Sequence, residues 1–271
     1  MFVSKLRPGE LVIDDSNCHR YARQLGQPGE GNGYIPRDYA KEPYGSLPFL
    51  ETFDIPIIPR SEWPARIEEM ERTKTRISDF WIRDGLRSPY QDGIPYCWIY
   101  AVATAMKALR CVMGLPYVPL SAESAGARIT GFRSVGGWSH RGVEWVLQHG
   151  MNTEDEWPPH RAGINRKYDT PENRESAKRN IVVKWYDVPD RNFDALMTCL
   201  FHRIPVCIGL NWWRHAICGV DPVMTGRNSF GVRIQNSHGD DYGEGGRAVL
   251  SESRGTPDDA VAPIAMGSSV K

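Results

Sequence analysis

The stretch that most constrains this 271-residue chain runs from Cys97 to Met113 and is apolar on almost every side of a helical projection. Trp98, Ile99, Tyr100, Val102, Ala105, Met106 and Leu109 leave no face for water. A helix of that kind is stable only inside a core, so the rest of the chain has to wrap it. The length suffices for one large domain, or for one domain plus an extension. The helix follows Gly93-Ile94-Pro95, a helix-breaking run, which places Cys97 at its amino-terminal end.

The elements that could do the wrapping come in two groups. Ser139 to Gln148 reads as an amphipathic helix with Val143, Val146 and Leu147 inward and Gly150 suited to its C-terminal cap. Short helices are expected at Asn173 to Asn180 and at Phe193 to Phe201. The period then changes to two: Ile181, Val183 and Trp185 alternate, as do Phe230, Val232 and Ile234, with further strand-like runs at 205–210, 216–220 and 248–251. Helices first and strands later predict an α+β fold with segregated halves. Residues 1–78 differ, holding eight of the twenty prolines. They read as an extended arm with little regular structure, ending in a charged helix from Ser61 to about Ser78, with Ser61 a possible cap and Pro64 in the first turn. The Gly29 to Gly33 cluster lacks the strand and helix that a nucleotide loop needs. The expected organisation is an arm (1–78), a globular domain (79–254) and a C-terminal tail (255–271).

Charge narrows the partners. Lys plus Arg and Asp plus Glu number 33 each, so no net field favours nucleic acid or an anionic membrane. No apolar run approaches the ~20 residues of a membrane span, and Met1 to Pro8 lacks the apolar centre of a secretory signal. A cytosolic protein, or one inside a particle assembled there, is expected. Six cysteines without a C-x-x-C pair argue against structural zinc, and the expected cytosolic setting argues against a disulfide framework. Seven histidines without H-E-x-x-H spacing suggest no metal, no cofactor motif is present, and no G-x-S-x-G elbow marks a serine hydrolase.

Chemistry concentrates in four places. A thiol at a helix amino terminus is favoured as the thiolate, which makes Cys97 a candidate nucleophile. Cysteines are also common core residues. His215 opens the strand-like run His215-Ala216-Ile217 and could be a base or a strand-entry residue. Asn236, after the alternating strand at 230–235, could orient an imidazole or simply begin a turn. Gln91, six residues before Cys97, could supply an oxyanion donor.

Taken together in order and context, these residues resemble the papain family of cysteine proteases. Gln91-Asp92-Gly93-Ile94-Pro95-Tyr96-Cys97-Trp98 is similar to the family's Q-x-x-x-x-x-C-W motif, and His215-Ala216-Ile217 to its H-A-[VI] element. Asn236-Ser237-His238-Gly239 with Tyr242-Gly243-Glu244-Gly245-Gly246 resembles N-S-W-G followed by W-G-E-x-G. Weaker echoes are Asp79-Phe80-Trp81-Ile82-Arg83, Leu120-Ser121-Ala122-Glu123, and Gly150-Met151 with Glu154. Gly136-Gly137 resembles the paired glycines that line the family's substrate cleft. The resemblance covers about residues 79–254. It implies a cleft between a helical half and an antiparallel β half. It also implies a thiol peptidase or amidase acting on a peptide or protein, with Cys97 as nucleophile, His215 as base, Asn236 as orienting residue and Gln91 in the oxyanion hole.

The sequence departs from the family at several points. Ile94 and Ser134 stand where a disulfide pair is usual. His238 replaces the tryptophan that shields the Asn–His hydrogen bond. The loop between Leu210 and His215 is short, leaving Trp212-Trp213 either to cap the cleft or to pack in the core. The arm lacks the helical pattern of the family's inhibitory pro-segments, so it either runs through the cleft and holds the enzyme latent or docks other subunits. A competing expectation is a structural component of a large assembly, such as a virion or shell, with vestigial catalysis.

Overall fold

Fourteen of the sixteen residues of the helix that begins at Cys97 are buried, and the architecture follows from enclosing it. The computed structural model describes residues 6–7, 9–24 and 33–267. Residues 29–32 of the glycine cluster lie outside that range. In chain order the elements are β1 (Val12–Ile13), α1 (Cys18–Gln24), β2 (Glu51–Thr52), α2 (Trp63–Thr73), α3 (Ile77–Arg83), α4 (Cys97–Val112), α5 (Ala122–Ile129), α6 (Ser139–His149) and α7 (Pro171–Ala177). They continue as β3 (Ile181–Val188), α8 (Phe193–Phe201), β4 (Val206–Leu210), β5 (His215–Gly226), β6 (Ser229–Gln235), β7 (Arg247–Ser251), α9 (Glu252–Gly255) and β8 (Asp259–Gly267). This is the expected α+β fold, with the helices α4 to α6 ahead of the sheet. α4 lies between α3, α5 and α6 on one side and β4, β5 and β8 on the other. Each large apolar side chain it buries stabilises the fold by about 1.5–3 kcal/mol.

The eight strands form one sheet in the order β1-β7-β6-β5-β4-β8-β3-β2. Its interior pairs are antiparallel, and its two outer strands, both from the arm, pair in parallel. Two-residue edge strands leave little open ladder on which another chain could add. The arm is therefore an integral part of the sheet at both margins. It is pinned beside β1 by a buried ionic cluster, in which Glu10 holds Arg233 through Oε1–Nε (2.5 Å) and Oε2–Nη2 (2.9 Å). Arg233 Nη1 also reaches Asp221 Oδ2 at 2.9 Å.

Three local features differ from the sequence expectation. Residues 61–78 split into two helices: α2 starts at Trp63 with Glu62 at its cap and no side-chain cap bond, so Ser61 does not serve, while Pro64 does occupy the first turn. The driving contact is Trp63, fully buried against Phe193, Phe201 and Phe230. In β3 the register shifts at Val182/Lys184 and Lys184/Trp185. Val182 and Trp185 are thus buried while Val183 is half exposed; a bulge resets the face that alternation predicts. Finally, within the expected tail, Asp259–Gly267 form β8, which fills the sheet between β4 and β3. Pro263 lies opposite Trp185 at the register shift of β3 and beyond the residues of β8 that pair with β4, Asp259 to Val261, an irregular position that tolerates a missing N–H.

Candidate active site

The turn Gly93 to Tyr96 delivers Cys97 to the first position of α4, where the helix dipole favours a thiolate. Burial overrides the dipole. Cys97 is wholly enclosed, and desolvation pushes its thiol up to about 11; the backbone N–H groups of Ala216, Gly33, Tyr34 and Trp98 offset only part of this. Ala216 is the second residue of β5, so the strand begins against the sulfur with His215 as its first residue.

His215 is also fully buried. Its Nε2 donates to Asn236 Oδ1 at 2.7 Å, which fixes the ring and leaves Nδ1 without a hydrogen-bond partner among the described residues. Asn236 sits just after β6. Its own N–H donates to the Gly246 carbonyl at 2.8 Å, and its Oδ1 also accepts from Ser237 N at 2.8 Å. Burial, reinforced by the neighbouring His238, pushes the His215 imidazole down to about 3, against the opposing effect of the Asn236 hydrogen bond. In this closed arrangement both the thiol and the imidazole are neutral.

The ring of His215 is held between two others. His238 stacks on it with centroids 5.1 Å apart and 30° between planes, and Trp213 approaches at 5.1 Å, tilted by 55°. Trp213 is buried, stacked 5.2 Å from Trp212, whose Nε1 donates to the Arg254 carbonyl at 2.9 Å. The tryptophan pair thus packs behind the histidine rather than over the cleft. Gln91 is anchored by its N–H to the Ser237 carbonyl (2.9 Å), by Nε2 to the Ile94 carbonyl (2.8 Å), and by Oε1 to the Ser237 hydroxyl. That ties the loop before Cys97 to the segment carrying Asn236. The structure therefore brings Cys97, His215, Asn236 and Gln91 into one neighbourhood. All six cysteines are free, as the Ile94 and Ser134 departures suggest.

Gly136 and Gly137 line the same neighbourhood, and here the arm enters. Gly137 N–H donates to the Gly33 carbonyl at 2.8 Å, and Ile35 N–H donates to the Gly137 carbonyl at 2.9 Å. Tyr34 thereby forms a parallel bridge with Gly137. Close approach requires glycine on every side: a Cβ on Gly137 would lie 2.5 Å from the Trp98 indole, one on Gly136 2.5 Å from the Gly33 carbonyl oxygen, and one on Gly209 2.4 Å from the Tyr34 ring. At the centre, Gly33 N–H donates to Cys97 Sγ at 3.2 Å. Gly33 and Tyr34 are site residues that sequence reasoning did not assign, because a turn glycine and its neighbour look the same wherever they sit; Trp213, left open between cleft and core, packs on His215.

No protein-family model matches the chain, and neither does any curated protein sequence. Solved structures do. Xylellain, a cysteine protease from Xylella fastidiosa, superimposes with a TM-score of 0.67 at 17% identity over 88% of this chain and 97% of its own. Procathepsin L 3 of the Tenebrio molitor larval midgut gives 0.60 at 13% identity, over 90% and 78%. The bromelain protease from Ananas comosus, in complex with the E64 inhibitor, gives 0.57 at 18% identity, over 68% and 97%. On these superpositions, the chain has the fold of the papain-like cysteine proteases.

Proposed function

We propose that this protein is a papain-like thiol peptidase held latent by its own arm. The observation that carries the reading is the convergence on Cys97 of a helix amino terminus, the first residues of β5 bearing an Asn236-oriented imidazole, and the arm's Gly33. Cys97 attacks a peptide carbonyl as the thiolate of a Cys97–His215 pair. His215 takes the thiol proton at Nδ1, its Nε2–H remaining on Asn236. Gln91 and the Cys97 backbone N–H stabilise the oxyanion. His215 then protonates the leaving amine, and water hydrolyses the thioester. Latency is supported by what faces the sulfur: an N–H, which cannot be attacked, instead of a carbonyl carbon. The arm therefore lies in the cleft as an occluder and not as a substrate. Two buried ion pairs of the arm, Glu10 with Arg233 and Arg37 with Asp187, lie in this chain's own core, which favours occlusion over docking to other subunits.

The test is alkylation by iodoacetamide at neutral pH, in the full-length chain carrying Gly33→Ala. A Cβ on Gly33 would stand 1.7 Å from the Pro95 carbonyl oxygen, so this change dislodges the arm at its point of contact. Cys97 is expected to react far faster than the other five cysteines in that variant. A further His215→Ala change is expected to slow it by about 10²-fold or more. Uniform reactivity across the six thiols would refute the catalytic reading and leave a fold used for structure alone.

A further inference from the structure

Beyond Gly33 the arm runs on to Arg37, which enters a second buried site on the same face of the sheet. Its Nη1 and Nη2 bond Asp187 Oδ1 and Oδ2 at 2.6 and 3.0 Å, and Nη1 lies 3.8 Å from Asp259 Oδ1, with all three side chains sealed from water. The hydrogen bonds that the Asp187 carboxylate accepts among the described residues come from the arm, the third being Gly45 N–H at 2.8 Å. Asp259 is less well served. Tyr39 Oη is 3.4 Å from Oδ1, while Oδ2 is buried with no hydrogen-bond partner among the described residues and has His140 Nδ1 at 3.9 Å. Two carboxylates thus share one guanidinium, and one carboxylate oxygen is left aimed into the site unmatched.

The register places this site with respect to the nucleophile. Ala216 of β5 lies opposite Gly209 of β4, and Gly209 opposite Asp259 of β8. Opposed residues share a face, so Asp259 lies two strand spacings, about 10 Å, from the residue beside the Cys97 sulfur. Val261, two residues on, lies opposite Asp187 of β3 and shares that face too. The Tyr34 ring, over Gly209, fills the gap between. A peptide rising about 3.4 Å per residue would bring the side chain of its second or third residue from the scissile bond to Asp259.

We propose that Asp187 and Asp259 form the floor of a cation-accepting subsite, filled by Arg37 in the closed state and by an arginine or lysine side chain of the substrate once the arm is displaced. The proposal rests on the peptidase reading above. Displacing the arm exposes two carboxylates that no cation of the sheet neutralises; a guanidinium restores both the charge and the bidentate geometry that Arg37 supplies.

Two measurements test it. In the Gly33→Ala protein, fluorogenic peptides carrying arginine, citrulline or leucine at the second and third positions before the scissile bond are compared. Citrulline keeps the shape of arginine without its charge. The arginine peptide is expected to exceed the citrulline peptide at least 30-fold in kcat/KM at one of the two positions, and Asp259→Asn should collapse that ratio to below about 3-fold. Equal rates for arginine and citrulline, or a ratio untouched by Asp259→Asn, would overturn the subsite. The second measurement needs no hydrolysis. The thermal midpoint of full-length Arg37→Ala is recorded with ethylguanidinium and with ethylurea. A rise of several degrees with ethylguanidinium alone supports the subsite even if no peptide is cleaved, in which case it is the peptidase reading that fails. Equal responses to the two compounds would overturn it. Should Arg37→Ala fail to fold, the peptide comparison, which retains Arg37, decides alone.

Discussion

The same arm segment seals two polar sites, and the two accommodate burial in opposite ways. At Cys97 and His215 enclosure suppresses charge, the thiol pushed up to about 11 and the imidazole down to about 3. Four residues along the arm, enclosure preserves charge, with Arg37 and Asp187 in a bidentate pair wholly out of water. The difference sets the energetics of opening. Lifting Gly33 from the sulfur rehydrates groups that ionise more readily in water. Lifting Arg37 strands two carboxylates. The Cys97–His215 site therefore favours release of the arm, and the ionic pair resists it, so the latter is the grip that keeps the arm in place.

The largest effect that would break this comparison comes from the ionic side. Truncating one partner of a buried pair leaves an uncompensated charge and costs about 3–5 kcal/mol. Arg37→Ala is expected to lose that much in chemical denaturation, with most of it regained when Asp187→Leu is added. A loss below about 1 kcal/mol would mean that the arm leaves Asp187 without penalty and that the pair is not its grip.

The neutral side is sharpened by pH. A group whose folded pKa is depressed from 6.5 to about 3, as His215's is, leaves stability intact above 6.5 and costs it progressively as the pH falls toward 3. A thiol raised from 9.0 to about 11 leaves stability intact below 9 and costs it as the pH rises toward 11. Each proton contributes a slope of about 1.4 kcal/mol per pH unit. Denaturation followed across pH should therefore lose about one proton's slope between 6.5 and 3 in His215→Gln, and between 9 and 11 in Cys97→Ala. Unchanged slopes would show that the closed form does not hold these groups neutral.

The smallest expected effect serves as a reference away from the arm. Burial raises Glu123, on α5, to about 7, while Tyr100 Oη (2.5 Å) and His160 N–H (2.8 Å) bond its Oε1. Its contribution is present below 4.5 and is lost as the pH rises toward 7. Glu123→Gln should flatten stability across that window, with a change within about 1 kcal/mol at pH 5. A larger response to Gly33→Ala at Glu123 than at His215 would contradict the localisation of arm effects to the cleft.

The two regions also differ in how far they could be read from the chain. α4, α6, α8 and β6 announce themselves by period, and Cys97, His215, Asn236 and Gln91 lie in short local motifs that the fold draws together. The arm's role is carried by pairs distant in sequence. Asp187 lies 150 positions from Arg37, and no local pattern links the two; Gly33 reads as a turn until Pro95 stands against it. β8 was concealed by its alanines and Pro263, and the bulge in β3 moved Val183 off the face that alternation assigns it. Period reports which face is buried. It does not report which distant segment does the burying.

The central claim is that enclosure beneath the arm keeps Cys97 neutral in the closed cleft, the Gly33 N–H offsetting only part of the burial. The direct measurement is the rate of Cys97 alkylation against pH, in the wild-type chain and in Gly33→Ala. The account predicts a wild-type thiol that titrates near 11 and reacts slowly at neutral pH, and a variant whose profile shifts several pH units lower with at least a 10-fold faster neutral rate. Superimposable profiles would contradict it.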